Sequence, residues 1–316
     1  MKDRKIIIFG SAGFVGSHFI SFINENNLGT VITYDIKDDP KQDVRLPITI
    51  LGDFSSSDII INLAAIHKTP GHPDFDYFET NIKGSKNVCS FASEKGIDNI
   101  IFTSSIAPYG ASEENKTEDT LETPNTPYGI SKLVAEKNHQ IWQKEDLENR
   151  RLVILRPGVI FGTGEGGNFT RLYTAIEKGV FFYPGRRDTQ KACIYVKDLV
   201  YASLQLIELG QTNSGIYNFC YPSAPRIDNI VHHISKVANL KEPKLKVSAK
   251  LMIVASQILG AMGGKKIGIH PDRVKKLMIS TNISGEKLEK SGIKLPYGFE
   301  NGLRDWFNDC GNKGMY

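Results

Sequence analysis

KIIIFGSAGFVGSHFISFI, residues 5–23, joins a β-branched run, three glycines and an apolar helical pattern in immediate succession. The unbroken apolar run Ile6 to Phe9 suits a strand buried on both faces, as in a parallel sheet. Gly10 permits a tight strand-to-helix turn, Gly13 lets backbone approach a ligand closely, and Gly16 lets the helix pack on the sheet. Phe14 and Val15 begin a helix whose unpaired N–H groups offer partial positive charge to phosphate. The spacing is GxxGxxG rather than GxGxxG, so its place between strand and helix carries the weight. The turn predicts a bound dinucleotide.

Working outward, TVITY (30–34), DIIIN (58–62), NIIFTS (99–104) and LVILRP (152–157) repeat the strand pattern, with helical periodicity between them; IYNFC (216–220) reads as a later strand. This alternation predicts an α/β fold: a Rossmann-type doubly wound parallel sheet with a smaller, mostly helical C-terminal substrate domain. Residues 35–58 are few and carry Pro40 and Pro47, so one crossover should be trimmed to a loop. From Gly158 the rhythm breaks into loops rich in glycine and charge. Residues 1–165, with a returning segment at about 192–221, are assigned to the dinucleotide domain; 166–191 and 222–316 are assigned to the substrate side.

Asp35 ends the second strand run. A carboxylate there accepts hydrogen bonds from an adenosine ribose and repels a 2′-phosphate, which favours NAD over NADP; Lys37 nearby is the feature that would suit NADP. The net charge of +4 in 316 residues is too small and dispersed for a nucleic-acid surface. Four scattered cysteines without CxxC spacing read as reduced, mostly buried thiols of a cytoplasmic protein, with no disulfide frame and no metal site. The N-terminus does not read as a signal peptide. LMIVASQILGAMG (251–263) is shorter than the ~20 apolar residues a bilayer span needs. It is expected to be a buried or lid helix, the alternative being a surface that touches a partner or bilayer.

TPYGISKLVAEK (126–137) has an N-cap candidate in Thr126 and a good first helical residue in Pro127. Tyr128 and Lys132 then share a face one turn apart. A free phenol, with a pKa of ~10, is a poor base at neutral pH. A neighbouring ammonium and an oxidised nicotinamide would favour the phenolate and make Tyr128 an acid/base. An ordinary amphipathic helix explains the spacing equally well in isolation. The glycine turn and Asp35 tip the reading toward chemistry.

The glycine turn, Asp35, NLAA (62–65), TSS (103–105) and YxxxK (128–132) together resemble an extended short-chain dehydrogenase/reductase, in the branch of nucleotide-sugar epimerases and dehydratases. The likeness runs through residues 5–220 and more loosely to the C-terminus. It implies that Ser105, four residues before Tyr109 of the YG pair, is the catalytic hydroxyl. It places Ile36 beside the ribose site and Asp43–Val44 against the adenine, with Asp53 as the rival. Ala64 and Ala65 would allow close approach of the cofactor, Asn81 matches a buried family asparagine, Pro157 would line the nicotinamide, and His67 would reach nicotinamide and substrate. For the diphosphate of the substrate it suggests Asn168, Lys191 where many relatives carry arginine, Arg187 of the Arg186–Arg187 pair, and Arg273; each basic residue could equally be a solvated surface charge.

Dehydratases of the branch carry acidic groups just after the catalytic hydroxyl. Here those places hold Ile106 and Ala107, which disfavours elimination. The implied activity is NAD-dependent oxidoreduction at C4 of a nucleotide-diphosphate sugar, as a 4-epimerase. A 4-keto-sugar reductase or 4-dehydrogenase is the alternative, ahead of a steroid-type alcohol dehydrogenase or a non-catalytic NAD-binding protein. Relatives commonly dimerise through the YxxxK helix, so a homodimer touching at Ile130, Val134 and Ile141 is expected, although core packing would give the same spacing.

Overall fold

In β1 (Lys5–Phe9), Ile6 and Ile8 point to one side of a sheet and Ile7 and Phe9 to the other, and all four are fully buried. The computed structural model describes residues 4–68, 71–210, 214–248 and 278–316. Ile6 and Ile8 pack with Phe19 and Ile23 of α1 (Phe14–Glu25) and Leu199 and Val200 of α6 (Val196–Glu208). Ile7 and Phe9 pack with Val88 and Phe91 of α3 (Gly84–Lys95) and Ala135 and Trp142 of α4 (Pro127–Lys144). Two apolar layers thus cover one sheet, as its β-branched strands require.

The sheet continues through β2 (Thr30–Tyr34), β3 (Ile59–Asn62), β4 (Asn99–Thr103), β6 (Arg151–Pro157) and β10 (Gly215–Phe219). Its order is β10-β6-β4-β3-β1-β2, and every pairing is parallel. The expected strand runs therefore hold to within a residue. Phe9 lies opposite Asn62, Asn62 opposite Phe102, and Phe219 opposite Pro157, so the carboxyl ends align along one edge. After β2 the chain returns to the other side of β1, and this reversal opens the crevice in which such sheets bind ligands.

Residues 35–58, between β2 and β3, form the expected loop without helix or strand. Asn87 fastens it by donating to the carbonyls of Val44 (2.7 Å) and Leu46 (3.0 Å). Between β3 and β4 the short α2 (Asp74–Tyr77) widens into a π-turn over Phe78–Lys83 before α3 begins. Such turns are rare and concentrate at functional sites. It turns Asn81 inward to full burial.

Smaller parallel pairs complete the fold: β5 (Ser112–Lys116) with β12 (Thr281–Ile283), β7 (Val159–Phe161) with β9 (Cys193–Tyr195), and β8 (Tyr183–Pro184) with β11 (Lys246–Val247). A third apolar cluster joins β7 and β9 to α5 (Asn168–Glu177), α7 (Ile227–Val237) and a final helix, Gly298–Asp309, around the buried Trp306. All four cysteines are free, and Cys89, Cys193 and Cys220 are buried. Among the described residues no helix is long and apolar enough to cross a membrane. Leu251–Gly263 lies outside them.

A Cβ built on Gly16 would sit 2.5 Å from the carbonyl oxygen of Ser11 and 2.6 Å from that of Gly10. Both are backbone atoms that cannot swing aside. Gly16→Ala should therefore lower stability by about 1–3 kcal/mol, read as a lower urea midpoint with unchanged slope; an unshifted midpoint would show that α1 does not seat on the turn this closely.

Candidate active site

Gly10 has φ +83°, and a Cβ there would lie 2.8 Å from the amide nitrogen of Ala64. The turn after β1 and the Ala64–Ala65 segment after β3 thus meet backbone to backbone. Gly13 caps α1, with Phe14 and Val15 as its first residues. Asp35 is buried at the end of β2, where its two oxygens accept from Ala12 N (3.0 Å) and Lys37 N (2.9 Å). Its carboxylate therefore points at the glycine turn, beside an exposed Ile36. The Ser11 hydroxyl in this turn, Asn62 Oδ1 at the end of β3 and Thr103 Oγ1 at the end of β4 are buried without a hydrogen-bond partner. Glycines that a Cβ would overfill, a fixed carboxylate and polar atoms gathered at the carboxyl edge fit a dinucleotide.

Of the two candidate acids for the adenine, Asp43 lies close enough to Tyr34, the last residue of β2, to help raise its pKa. The Asp43 carboxylate is chelated by the Arg45 guanidinium at 2.6–2.9 Å, and Val44 is buried against Gly84. Asp53 is exposed, and its carbonyl receives Lys5 Nζ at the amino end of β1. That is the wrong edge of the sheet for this role.

Thr126 Oγ1 accepts from Gly129 N at 3.1 Å, so α4 begins where the sequence predicts. The Ser105 hydroxyl, which accepts from Ala107 N at 3.1 Å, lies close enough to Tyr128 to influence its ionisation. Lys132 Nζ donates to the Thr103 carbonyl at 2.7 Å and lies 4.9 Å from the centre of the Phe102 ring. Phenol and ammonium thus converge on the end of β4. The expectation that Lys132 lowers the Tyr128 pKa needs correction, however. Burial raises the Tyr128 pKa above 10, and the neighbouring Ser105 hydroxyl is the influence that opposes it. Burial also pulls the Lys132 ammonium down to about 7, with the Glu136 charge opposing. Both groups are pushed toward neutrality because burial is the largest influence on each.

The other predicted contacts divide. Pro157 is buried at the end of β6. His67 follows the Ala64–Ala65 segment; burial and then the charge of Lys132 lower its pKa, with smaller contributions from His72, Lys37 and Lys68, so it belongs to this cluster of cations. The Asn81 amide is committed to protein: its oxygen accepts from Ile66 N (2.9 Å), and Nδ2 donates to Ile66 O (3.1 Å) and Ser131 Oγ (2.8 Å). It therefore acts by pinning the loop after β3 to α4. Asn168 is exposed and accepts from Arg171 (2.9 Å). Arg187 lies over the Tyr183 ring (4.7 Å) and donates to the Lys244 carbonyl. Arg186 pairs with Glu113 and Asp188, and Lys191 donates to Ile279 O (2.7 Å), with burial lowering its pKa to about 8. Arg273 lies outside the described residues.

Sequence reasoning missed a fully buried ionic group behind the site. Arg156 donates to Glu136 from Nε (2.9 Å) and Nη2 (2.6 Å), to Tyr109 OH (2.7 Å) and to Glu122. Tyr109 OH passes the chain to Asn218 (2.9 Å), and Ser104 Oγ donates to Glu136. Helical spacing could have flagged Glu136, one turn after Lys132. His139, one further turn along α4, stacks on Phe102 with ring centres 4.0 Å apart and meets Asn62 through Nε2 (3.3 Å).

Known proteins share this fold. The profile of the NAD dependent epimerase/dehydratase family matches residues 6–220. The chain is 29% identical to N-acetyl-alpha-D-glucosaminyl-diphospho-ditrans,octacis-undecaprenol 4-epimerase of Escherichia coli O157:H7, over 96% of this chain and 94% of that protein. Its fold matches UDP-N-acetylglucosamine 4-epimerase from Bacillus cereus (TM-score 0.73, 19% identity, 96% of this chain and 95% of the other). It also matches the UDP-glucose 4-epimerase of Thermus thermophilus in complex with NAD (0.69, 17%, 96% and 98%). A parallel dinucleotide sheet with a serine, a tyrosine and a lysine gathered at its carboxyl edge defines an NAD-dependent enzyme of the extended short-chain dehydrogenase/reductase type. The chain belongs to the NAD-dependent epimerase/dehydratase family.

Burial holds His139 neutral, with its pKa pulled from 6.5 to about 4. Between those values the unfolded chain binds a proton that the folded one refuses, so stability falls as pH drops from 6.5 toward 4. The loss amounts to about 3 kcal/mol at its limit. His139→Gln should flatten this part of the acid slope in urea titrations from pH 7 to 4.5; parallel slopes for variant and parent would count against a neutral buried imidazole.

Proposed function

We propose that this protein is an NAD-dependent 4-epimerase of hexoses carried on a diphosphate, with nucleotide sugars as the substrate class. The observation that carries the reading is the gathering of Ser105, Tyr128 and Lys132 at the carboxyl edge of the sheet, with Lys132 Nζ on the carbonyl of the same strand end. Tyr128 takes the proton of the sugar 4-hydroxyl, and Ser105 holds that oxygen as its C–O bond becomes a carbonyl. Lys132, buried beside them, would hold the ribose side of the cofactor. NAD, when bound, would supply the acceptor for the hydride of C4 and the store from which it comes back. Tyr128 gives its proton back to the oxygen as the rotated 4-keto sugar regains its hydride on the opposite face, which inverts the carbon.

Gly10, Gly13, Gly16, Asp35 and the Asp43–Val44 pair are assigned to the cofactor; His67, Asn168, Arg187, Lys191 and Arg273 are assigned to the substrate. Ile106 and Ala107 after the catalytic hydroxyl have no proton to transfer, which argues against elimination. Lys191 offers a point charge where a guanidinium fork would grip a diphosphate. A second reading, a hexose on a polyprenyl diphosphate, is favoured by the full-length likeness to the undecaprenol-linked 4-epimerase. The apolar sequence 251–263, followed by Lys265 and Lys266, suits a substrate whose tail lies in a bilayer.

The same α4 is proposed as a homodimer face, since Ile130 and Ile141 are 40% and 59% exposed. Free, mostly buried thiols suit a cytoplasmic protein.

Incubation with UDP-, GDP-, dTDP- and CDP-hexoses, and with undecaprenyl diphosphate N-acetylglucosamine, should reveal C4 inversion without added reductant. A stoichiometric demand for NADH would point to a reductase instead. Tyr128→Phe should keep the dinucleotide and lose at least about 100-fold in kcat; a parental rate would remove this phenol from the chemistry. Sedimentation at micromolar concentration should give twice the chain mass, and Ile141→Glu should halve it.

A further inference from the structure

Glu136 lies on the same face of α4 as Tyr128 and Lys132, yet it has no part in the proton transfer just described. It is fully buried and accepts from Ser104 Oγ and from two nitrogens of Arg156. Ser104 precedes Ser105 at the end of β4; Arg156 precedes Pro157 in β6. One carboxylate therefore ties the helix of the acid/base tyrosine to the strand end of the catalytic serine and to the strand that lines the nicotinamide side. Stability alone is a poor reason for such an arrangement, because a buried ion pair is commonly matched by apolar residues of similar volume. What the pair does supply is direction: the planar guanidinium grips both carboxylate oxygens and fixes the rotation of Glu136. Arg156 is itself anchored from behind by Tyr109 and Glu122.

Past Thr103, β4 has left the ladder of regular strand. Its main chain is held toward β6 by Ser104 N on Leu155 O (2.7 Å), and toward α4 by Ser104 Oγ on Glu136 and Lys132 Nζ on Thr103 O. We propose that Glu136, clamped by Arg156, is a positioning residue that sets the Ser105 hydroxyl against the Tyr128 phenol by holding Ser104. The proposal rests on the assignment of proton transfer to Tyr128. A misplacement of 1 Å between reacting groups can cost about 100-fold in rate, so the tie is worth having even if it adds nothing to folding.

Ser104→Ala removes the tie and leaves the ion pair intact, so it should fold. Glu136→Gln removes the charge as well, while Glu122→Gln perturbs the same guanidinium through its other carboxylate. Ser104→Ala and Glu136→Gln should lower kcat for a nucleoside diphosphate hexose roughly 10- to 100-fold with KM unchanged. Glu122→Gln should lower the melting temperature without this loss. An independent readout is the ionisation of Tyr128 in the NAD-bound protein, followed by phenolate absorbance and referenced to Tyr128→Phe. Ser105 faces this phenol from the end of β4 and Tyr77 from α2, and the variants disturb Ser105. The titration should therefore move to higher pH in Ser104→Ala. A kcat that tracks melting temperature across all three variants, or a Tyr128 titration unmoved by Ser104→Ala, would overturn the proposal. A wild type inert toward every sugar would sink the functional reading alone, since the titration needs no substrate.

Discussion

Two carbonyl oxygens, those of Gly10 and Ser11, occupy the space where a side chain at position 16 would begin. This contact fixes how closely α1 seats behind β1, and much of the site follows from it. The first N–H groups of α1 are held at the carboxyl edge, and Ala12 N meets the Asp35 carboxylate from there. Gly10 then brings the segment after β3 against the same turn. Three strand ends are registered to one another largely through backbone, so the cofactor crevice depends little on flexible side chains.

Around that crevice, burial sets the electrostatics. Tyr128 and Lys132 are both driven toward their neutral forms, and the Lys132 ammonium reaches about 7, where a small change in surroundings decides its charge. A helix whose inward face carries lysine, glutamate and histidine would be costly without partners. Here Thr103, Arg156, Ser104, Ala135 and Asn62 satisfy those groups in turn. The polar face of α4 is thereby as firmly placed as an apolar one, while keeping groups that can exchange protons.

Most of the sheet was legible because buried parallel strands must be continuous apolar runs, and Ile6–Phe9 and Ile59–Asn62 have no other use. Pro40 and Pro47 announced the missing crossover helix for the same local reason. The electrostatic relation of Tyr128 to Lys132 was not legible. Spacing says that two side chains share a face; it does not say that a carbonyl of Thr103 intercepts the ammonium or that burial governs both groups. Spacing from Lys132 places Glu136 on the inward face of α4, but its partner Arg156 comes from a strand twenty residues on, and no local pattern joins the two. That Asp43 lies near the end of β2 and Asp53 near the start of β1 is visible only once the loop between them has a direction. Asn81 was recognised as buried, yet its commitment to Ile66 and Ser131 depends on a helical irregularity that no composition signals.

That irregularity has an evolutionary corollary. A π-turn over Phe78–Lys83 behaves as one residue more than a regular helix would need. Trimming a single residue from it would restore the ordinary pitch and swing everything beyond by about 100°. Asn81 would leave the loop after β3, and α3 would present a new stripe to the sheet. Substitution can drift through this stretch, but length cannot, so related chains should align across it without gaps even where their surface residues have diverged.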